Sequence, residues 1–429
     1  MKLASKKKYL YLILALSVIF IESAFARSGW QFLIYMQADN DLYEYAKWDL
    51  IEMSSSLPSD DSLEVIIRLD TPKRDGIRDI KIQPSKRLIP TKLSELEQVS
   101  LDDLNLNILQ QFPEREFENQ KDSLEDFIAR YSNNDKNLKT AILIWGHGEG
   151  FSSTRNAQFG GVALDDYPKG KLSILELNKA LSFFESYNQK KVSLLAMDAC
   201  LMQTIETAVE VKDQVEYFIG STQIQNFRGL PYHLIFKQIT RETSPFDLAK
   251  MIPEVFINSA NEMENTSATM SAVNTHELVN VFVDEFNDVA AMMRDYLDSH
   301  PFEKIALKEK INNSPFFLGN SRDLSTSLRL LQEYFYEKEE WAIYDALNIA
   351  LATLSQSIIK FTYGKDYFSE NSEYFRGFFK AFGIWFPASS LEYQIKIDEF
   401  KQSKLYQSQM LEDWFNFLQK LHEKSFIGF

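Results

Sequence analysis

The sequence predicts an α/β fold: a mostly parallel β-sheet flanked by helices, followed by a mainly helical C-terminal region. Two observations carry this. Continuous apolar runs at residues 32–36 (FLIYM), 63–69 (LEVIIRL), 140–145 (TAILIW) and 192–197 (VSLLAM) have the character of strands buried on both faces. Helical patterns separate them, and strands alternating with helices build a parallel sheet with helices on both sides.

The run at 32–36 breaks at Asp39-Asn40-Asp41, residues suited to cap a following helix. The run at 63–69 ends at Asp70-Thr71-Pro72, Asp75-Gly76 gives a hairpin turn signal, and residues 80–82 follow as a possible edge strand. Residues 83–121 are polar and weakly periodic and read as loops and short helices. Asp122-Ser123-Leu124-Glu125 resembles a capping box opening a helix to about Tyr131. The run at 140–145 exits into Gly146-His147-Gly148. An amphipathic helix is expected over residues 172–187, and the run at 192–197 exits into Asp198-Ala199-Cys200. A helix over about 202–212 and a short strand at 217–220 follow. Beyond about residue 244 the pattern is helical and rich in Phe and Tyr, with strand-like stretches at 269–273 and 381–386. The expected organisation is a leader at 1–26, an α/β domain at 27–244, and a helical region at 245–429 with strands available to extend the sheet.

The leader has a basic start (Lys2, Lys6, Lys7, Lys8), an apolar run from Tyr9 to Ile21, and Ala24-Phe25-Ala26 as a small-x-small cleavage site. This is a secretory signal pattern, and the run is short for a membrane helix, which needs about 20 apolar residues. Four lysines and one glutamate leave with it, a net +3, so the formal charge of −15 becomes −18. An acidic protein of this kind lacks the basic surface that neutralises phosphates, so nucleic acid is not an expected partner. Nor is stable membrane insertion expected once the leader is removed. The sequence has one cysteine, which excludes an intrachain disulfide framework and cysteine-rich metal sites. An unpaired cysteine in an exported protein points to an intermolecular bridge or a functional thiol.

In open α/β sheets, ligands bind beyond the carboxyl ends of the strands. Two such ends carry His147 and Cys200, 53 residues apart. A cysteine nucleophile needs a base to form thiolate, and caspase-type proteases place their His about 50 residues upstream of the Cys. The glycines around His147 permit a sharp turn and a close approach. The amides of Gly148 and Cys200 are then the candidate oxyanion donors. Asp198, beside the nucleophile, is suited to take a substrate guanidinium; the structural alternative is a helix cap. The alternative for Cys200 is an inert buried residue. The remaining histidines have no metal-ligand spacing, and Asp165 and Asp166 read as a solvated turn.

Several blocks, in order, resemble the clostripain-like cysteine peptidases, relatives of caspases, gingipains and legumains: residues 30–40 (WQFLIYMQADN), 64–70 (EVIIRLD), 143–151 (LIWGHGEGF), 197–210 (MDACLMQTIETAVE), 217–221, 229–232, and 383–387 (GIWFP). The resemblance implies a caspase-like sheet, a His147–Cys200 dyad, and Asp198 in the S1 pocket with preference for Arg or Lys at P1. No cofactor is implied as required, and calcium enters by resemblance only. After Gly220-Ser221, where the family usually has acidic residues, Thr222 and Gln223 stand. Some members of the family are activated by cleavage between the His and the Cys. Residues 165–171 (DDYPKGK) read as an exposed loop, so Lys169 and Lys171 are the expected sites. The resulting expectation is a secreted cysteine endopeptidase acting on peptide or protein substrates. The alternatives are a catalytically silent peptide- or partner-binding member, and a thiol acyltransferase or amidase.

Overall fold

The computed structural model describes residues 29–423 apart from 73–75, 114–115, 152–159, 168, 264–265, 319–320, 369–372 and 388. The expected leader, and Asp75 and Pro168 of the two expected turns, lie outside the described residues.

The main strands are β1 (Gly29–Gln37), β2 (Leu63–Asp70), β3 (Ile77–Lys81), β4 (Asn107–Phe112) and β5 (Leu138–Trp145). A small hairpin, β6 (Gly161–Asp166) and β7 (Lys169–Ser173), precedes β8 (Val192–Asp198) and β9 (Val215–Gly220). After these come β10 (Thr269–Asn274), β11 (Phe316–Phe317), β12 (Ser321–Asp323), β13 (Ile358–Tyr363) and β14 (Gly383–Trp385). Nine of them form one sheet in the order β13-β10-β9-β8-β5-β1-β2-β3-β4. The five central strands, β9 to β2, are parallel, and two antiparallel strands close each edge.

The apolar runs form central strands because both faces of the sheet are covered. Along β1, Trp30, Phe32, Ile34 and Met36 enter one buried cluster, while Leu33 and Tyr35 enter the other. This is the two-residue alternation of a strand with no solvent face. The helices Tyr43–Ser56 and Pro245–Glu262 cover the first face with Ala46, Leu50, Ile252 and Phe256. Gln120–Tyr131, Ile174–Asn188, Ile205–Val211 and the later C-terminal helices cover the second. That second cluster runs from Leu33 to Leu421, so the 245–429 region packs into the same core as the first half.

Several expectations are corrected. Residues 107–112 are an edge strand, not loop; five of the six are exposed, which removes the apolar signal. The helix near 122 starts at Gln120 and is capped by Asn119, whose side chain accepts from the Asp122 amide. The helix after β1 starts at Tyr43 with no side-chain cap; Asn40 Oδ1 instead accepts from the Leu42 amide at 2.9 Å. Of residues 165–171, 165–166 and 169–171 are not loop but strand residues of the β6–β7 hairpin. Asp165 is 9 % exposed rather than solvated, and burial, with Asp39 nearby, pushes its carboxyl up to about 6. In the C-terminal region β10 extends the main sheet as expected. The strand at 383–385 instead joins a separate three-stranded sheet with β11 and β12. The ninth strand of the main sheet, β13, follows directly on the helix Trp341–Ser357, with no break residue to announce it.

From β1 the chain crosses to β2 on one side, and later to β5 on the other. The carboxyl ends of β1 and β5 therefore diverge around a crevice, the place where such sheets bind ligands.

Candidate active site

Three neighbouring strands deliver the site. β1 exits toward Asp41, β5 toward His147, and β8 toward Cys200. Together they line a cavity of ≈ 730 Å³, with Gly148, Asp198 and the segment after β9 in its walls. The cavity lining thus includes His147, Gly148, Asp198 and Cys200.

The backbone at these exits is tightly interlocked. Gly146 has φ +141° and its amide donates to the Asp198 carbonyl at 3.2 Å. A Cβ on Gly148 would lie 2.2 Å from the Cys200 carbonyl oxygen, so only glycine permits this approach between the two exits. Among the described residues, the amides of Gly148 and Cys200 donate to no other residue. Leu201, directly after the cysteine, has φ +66°, an unfavourable conformation for a non-glycine residue and one found disproportionately at functional turns.

Cys200 is partly buried, and its Sγ accepts from the Gln225 amide at 3.3 Å. Burial pushes the thiol up from its ordinary value; the Gln225 amide opposes this and the Asp198 carboxylate adds to it. The thiol therefore needs a base. His147 faces the same cavity but makes no hydrogen bond to Cys200; its Nε2 lies 2.6 Å from Asp41 Oδ1. Catalytic contacts in ligand-free sites often tighten only when substrate is bound.

Asp198 is 4 % exposed. Its carboxylate accepts from the Leu230 amide at 3.0 and 3.1 Å and from the Tyr232 hydroxyl at 2.9 Å. It does not cap a helix: the next helix is capped by Thr204. Burial pushes its carboxyl up to about 7, against those two hydrogen bonds and with help from Glu52. Two further buried carboxylates stand behind it. Asp49 accepts from the Trp145 indole at 2.8 Å, and Glu52 lies 2.8 Å from His233 Nδ1. Thr222 is paired with Thr269 at 2.8 Å.

Sequence reasoning missed Asp41, Gln225, Gly229 and Tyr232. Asp41 was detectable in principle, since it follows a buried strand just as His147 and Cys200 do. Gln225 and Gly229 lie in a segment without a periodic signal, and Tyr232 opens the short helix Tyr232–Phe236; the block 229–232 had shown only a resemblance, not a role. Gly229 has φ +55°, and a Cβ there would lie 2.4 Å from Asp198 Oδ1. The carboxylate is pinned, so Gly229→Ala is expected to lower stability by about 1–3 kcal/mol, read from the denaturant midpoint. An unchanged midpoint would show that the loop and Asp198 relax freely.

The model of the clostripain family matches residues 34–426. The chain belongs to the clostripain family. It is therefore a cysteine-type peptidase, and a hydrolase of peptide bonds by class. Among solved structures, an inactive zymogen C11 protease from Parabacteroides distasonis aligns with TM-score 0.61 and 15 % identity, over 90 % of this chain and 98 % of that one. A secreted C11 cysteine protease from Bacteroides thetaiotaomicron, in complex with an irreversible peptide inhibitor, aligns with TM-score 0.57 and 16 % identity, over 92 % and 99 %. At these identities the likeness bears on the fold, which is shared. No curated protein matches the sequence. Among the described residues of this clostripain-family chain, no group of three or more His, Cys, Asp or Glu side chains could hold a metal ion. No helix among the described residues is long and apolar enough to cross a membrane.

Proposed function

We propose that this peptidase is exported and cleaves peptide bonds after Arg or Lys, with Cys200 as nucleophile and His147 as base. The observation that carries the specificity is the charge of the cavity. Among the described residues its lining holds the carboxylates of Asp41, Glu149, Asp166 and Asp198 and no lysine or arginine. Lys171 approaches Glu149 at 2.9 Å, which leaves Asp198 as the deep anionic wall beside the nucleophile. A buried carboxylate such as Asp198 is costly unless a cation joins it, and a substrate guanidinium or ammonium is such a cation.

In this reading His147 takes the Sγ proton and the thiolate attacks the scissile carbonyl. The amides of Gly148 and Cys200 receive the oxyanion. The carbon–nitrogen bond breaks as the imidazolium returns its proton to the amine. Water then hydrolyses the thioester. Export is supported by the basic, apolar and small-x-small order of residues 1–26.

The test is cleavage-site profiling of the purified protein with a peptide library. The expected result is basic P1 in the large majority of cuts; a profile with no basic preference rejects the specificity. N-terminal sequencing of the same preparation checks maturation. Lys169, exposed on the β6–β7 hairpin, is the expected nick, and an active single chain beginning near Arg27 shows that cleavage is not required.

A further inference from the structure

The loop that leaves β1 brings one carboxylate to His147 across 106 residues of sequence: Asp41 Oδ1 lies 2.6 Å from His147 Nε2. The register explains how. β1 and β5 are adjacent and parallel, with Met36 beside Trp145. Both exits therefore start at one level, and Asp41 and His147 follow within a few residues.

The rest of that loop is held by other groups. Asn40 Nδ2 donates to the carbonyls of Gln37 and Leu164, its Oδ1 accepts from the Leu42 amide, and Asp39 accepts through its carbonyl from the Asp166 amide. The helix beginning at Tyr43 has no side-chain cap. Among the described residues, the recorded hydrogen bond of the Asp41 side chain is the one to His147. Asp41 is thus not needed to shape its own segment.

His147, for its part, needs a tether. It stands between Gly146 and Gly148, and its side chain is 35 % exposed. Among the described residues, no other hydrogen bond orients its ring. A carboxylate accepts hydrogen bonds, so the contact fixes the proton on Nε2 and leaves Nδ1 as the nitrogen that exchanges a proton with the thiol.

We infer that Asp41 is the positioning residue of His147, holding the imidazole in the tautomer and orientation that the reaction requires. The inference rests on the reading of His147 as the base. When Nδ1 takes the Sγ proton, the ring becomes an imidazolium with both nitrogens protonated, and Asp41 stabilises it without itself being protonated. The proton on Nδ1 then passes to the leaving amine, so nothing is gained or lost by Asp41.

In water an exposed pair of this kind contributes little; the Asp41 side chain is 73 % exposed. Asp41 lines the cavity, however. A substrate lying there excludes water from the pair and strengthens it during the chemical step. The effect therefore belongs to turnover rather than to folding. The other charged groups at this rim are the Glu149–Lys171 pair, Asp166 and Asp198, none of which is recorded against the ring.

The test uses the purified full chain with Asp41→Asn, Asp41→Ala, Asp41→Glu and His147→Ala on one peptide substrate. Asp41→Asn and Asp41→Ala are expected to lower kcat roughly 10–100-fold, toward the lower end of general acid–base contributions. KM should stay within about threefold and the melting temperature should be unchanged, since the binding and folding contacts remain. Asp41→Glu, at an exposed position with room for a longer side chain, should recover a substantial part of kcat. An Asp41→Asn enzyme indistinguishable from the parent overturns the inference. So does a loss carried by KM alone, which would make Asp41 a substrate contact, or an Asp41→Glu enzyme no better than Asp41→Ala. Retained activity in His147→Ala would instead sink the underlying dyad. Loss in His147→Ala with none in Asp41→Asn would leave the dyad standing and remove only Asp41.

Discussion

Replacing Cys200 with alanine is expected to reduce peptide hydrolysis by roughly four orders of magnitude or more, with the fold intact. The thiol is the group in this reading that forms the covalent acyl intermediate, and its side chain accepts a hydrogen bond from the Gln225 amide. Losing a weak sulfur acceptor costs about 1 kcal/mol, far from enough to unfold a core that continues from Leu33 to Leu421. His147→Ala should lose a comparable amount, because burial holds the thiol above its ordinary value and, among the described residues, no lysine or other histidine lines the cavity to replace the base. The double variant should be no worse than either single one, since a nucleophile and its base act as a unit. Activity on a fluorogenic peptide, together with circular dichroism, checks all three. Undiminished turnover in a folded Cys200→Ala protein would end the dyad reading.

Asp198→Asn should depress kcat/KM for Arg and Lys substrates by roughly a hundredfold, the scale on which a desolvated ion pair fails when one partner is neutralised. Substrates with an apolar P1 should change little. Asparagine fills the same volume, and its amide oxygen can still accept from Leu230 and Tyr232. The pH dependence has a defined sign. The carboxyl rises from 3.8 to about 7 on folding, so the folded state binds this proton more tightly than the unfolded chain does. Its contribution to stability is fully present below about 4 and is lost as pH rises through about 7; above that, Asp198→Asn should be as stable as the parent or more so. Binding runs the other way. A cationic P1 side chain requires the ionised form, so the basic-to-apolar ratio of kcat/KM should climb through about pH 7 in the parent and stay flat in the variant. The ratio cancels the titration of the dyad, which both substrates share. The groups facing Asp198 are Glu52, Asp49 and Tyr232, and a ratio independent of pH in the parent would show that they, or the substrate, keep Asp198 ionised throughout.

Chain order and local pattern carried a large part of this protein. Strands buried on both faces are apolar at most positions, so β1, β2, β5 and β8 stand out as nearly continuous runs, and their exits into Gly146-His147-Gly148 and Asp198-Ala199-Cys200 are visible without coordinates. Glycine beside His147 is likewise legible, because a required close approach leaves one residue type that fits. Edge strands are another matter. β4 is mostly exposed, and β13 alternates lysine and threonine among its apolar residues, so neither carries the signature of burial; the pairing partner, not the sequence, makes each a strand. The same holds for the site beyond its two named exits. Whether Asp41 caps a helix or holds an imidazole depends on which strand lies beside β1, and that is β5, whose paired residues lie 109 further along the chain. Whether Asp165 is solvated depends on the hairpin that folds it beside Asp39. Asp198 reads as a carboxylate next to a cysteine; its place beside Glu52, Tyr232 and the Leu230 amide, which together set its charge, exists only once segments far apart in sequence are packed together. Periodicity reports whether a residue is buried, because burial acts on each position separately. Charge state and hydrogen-bond partners are properties of pairs, and the tertiary structure alone decides the pairs.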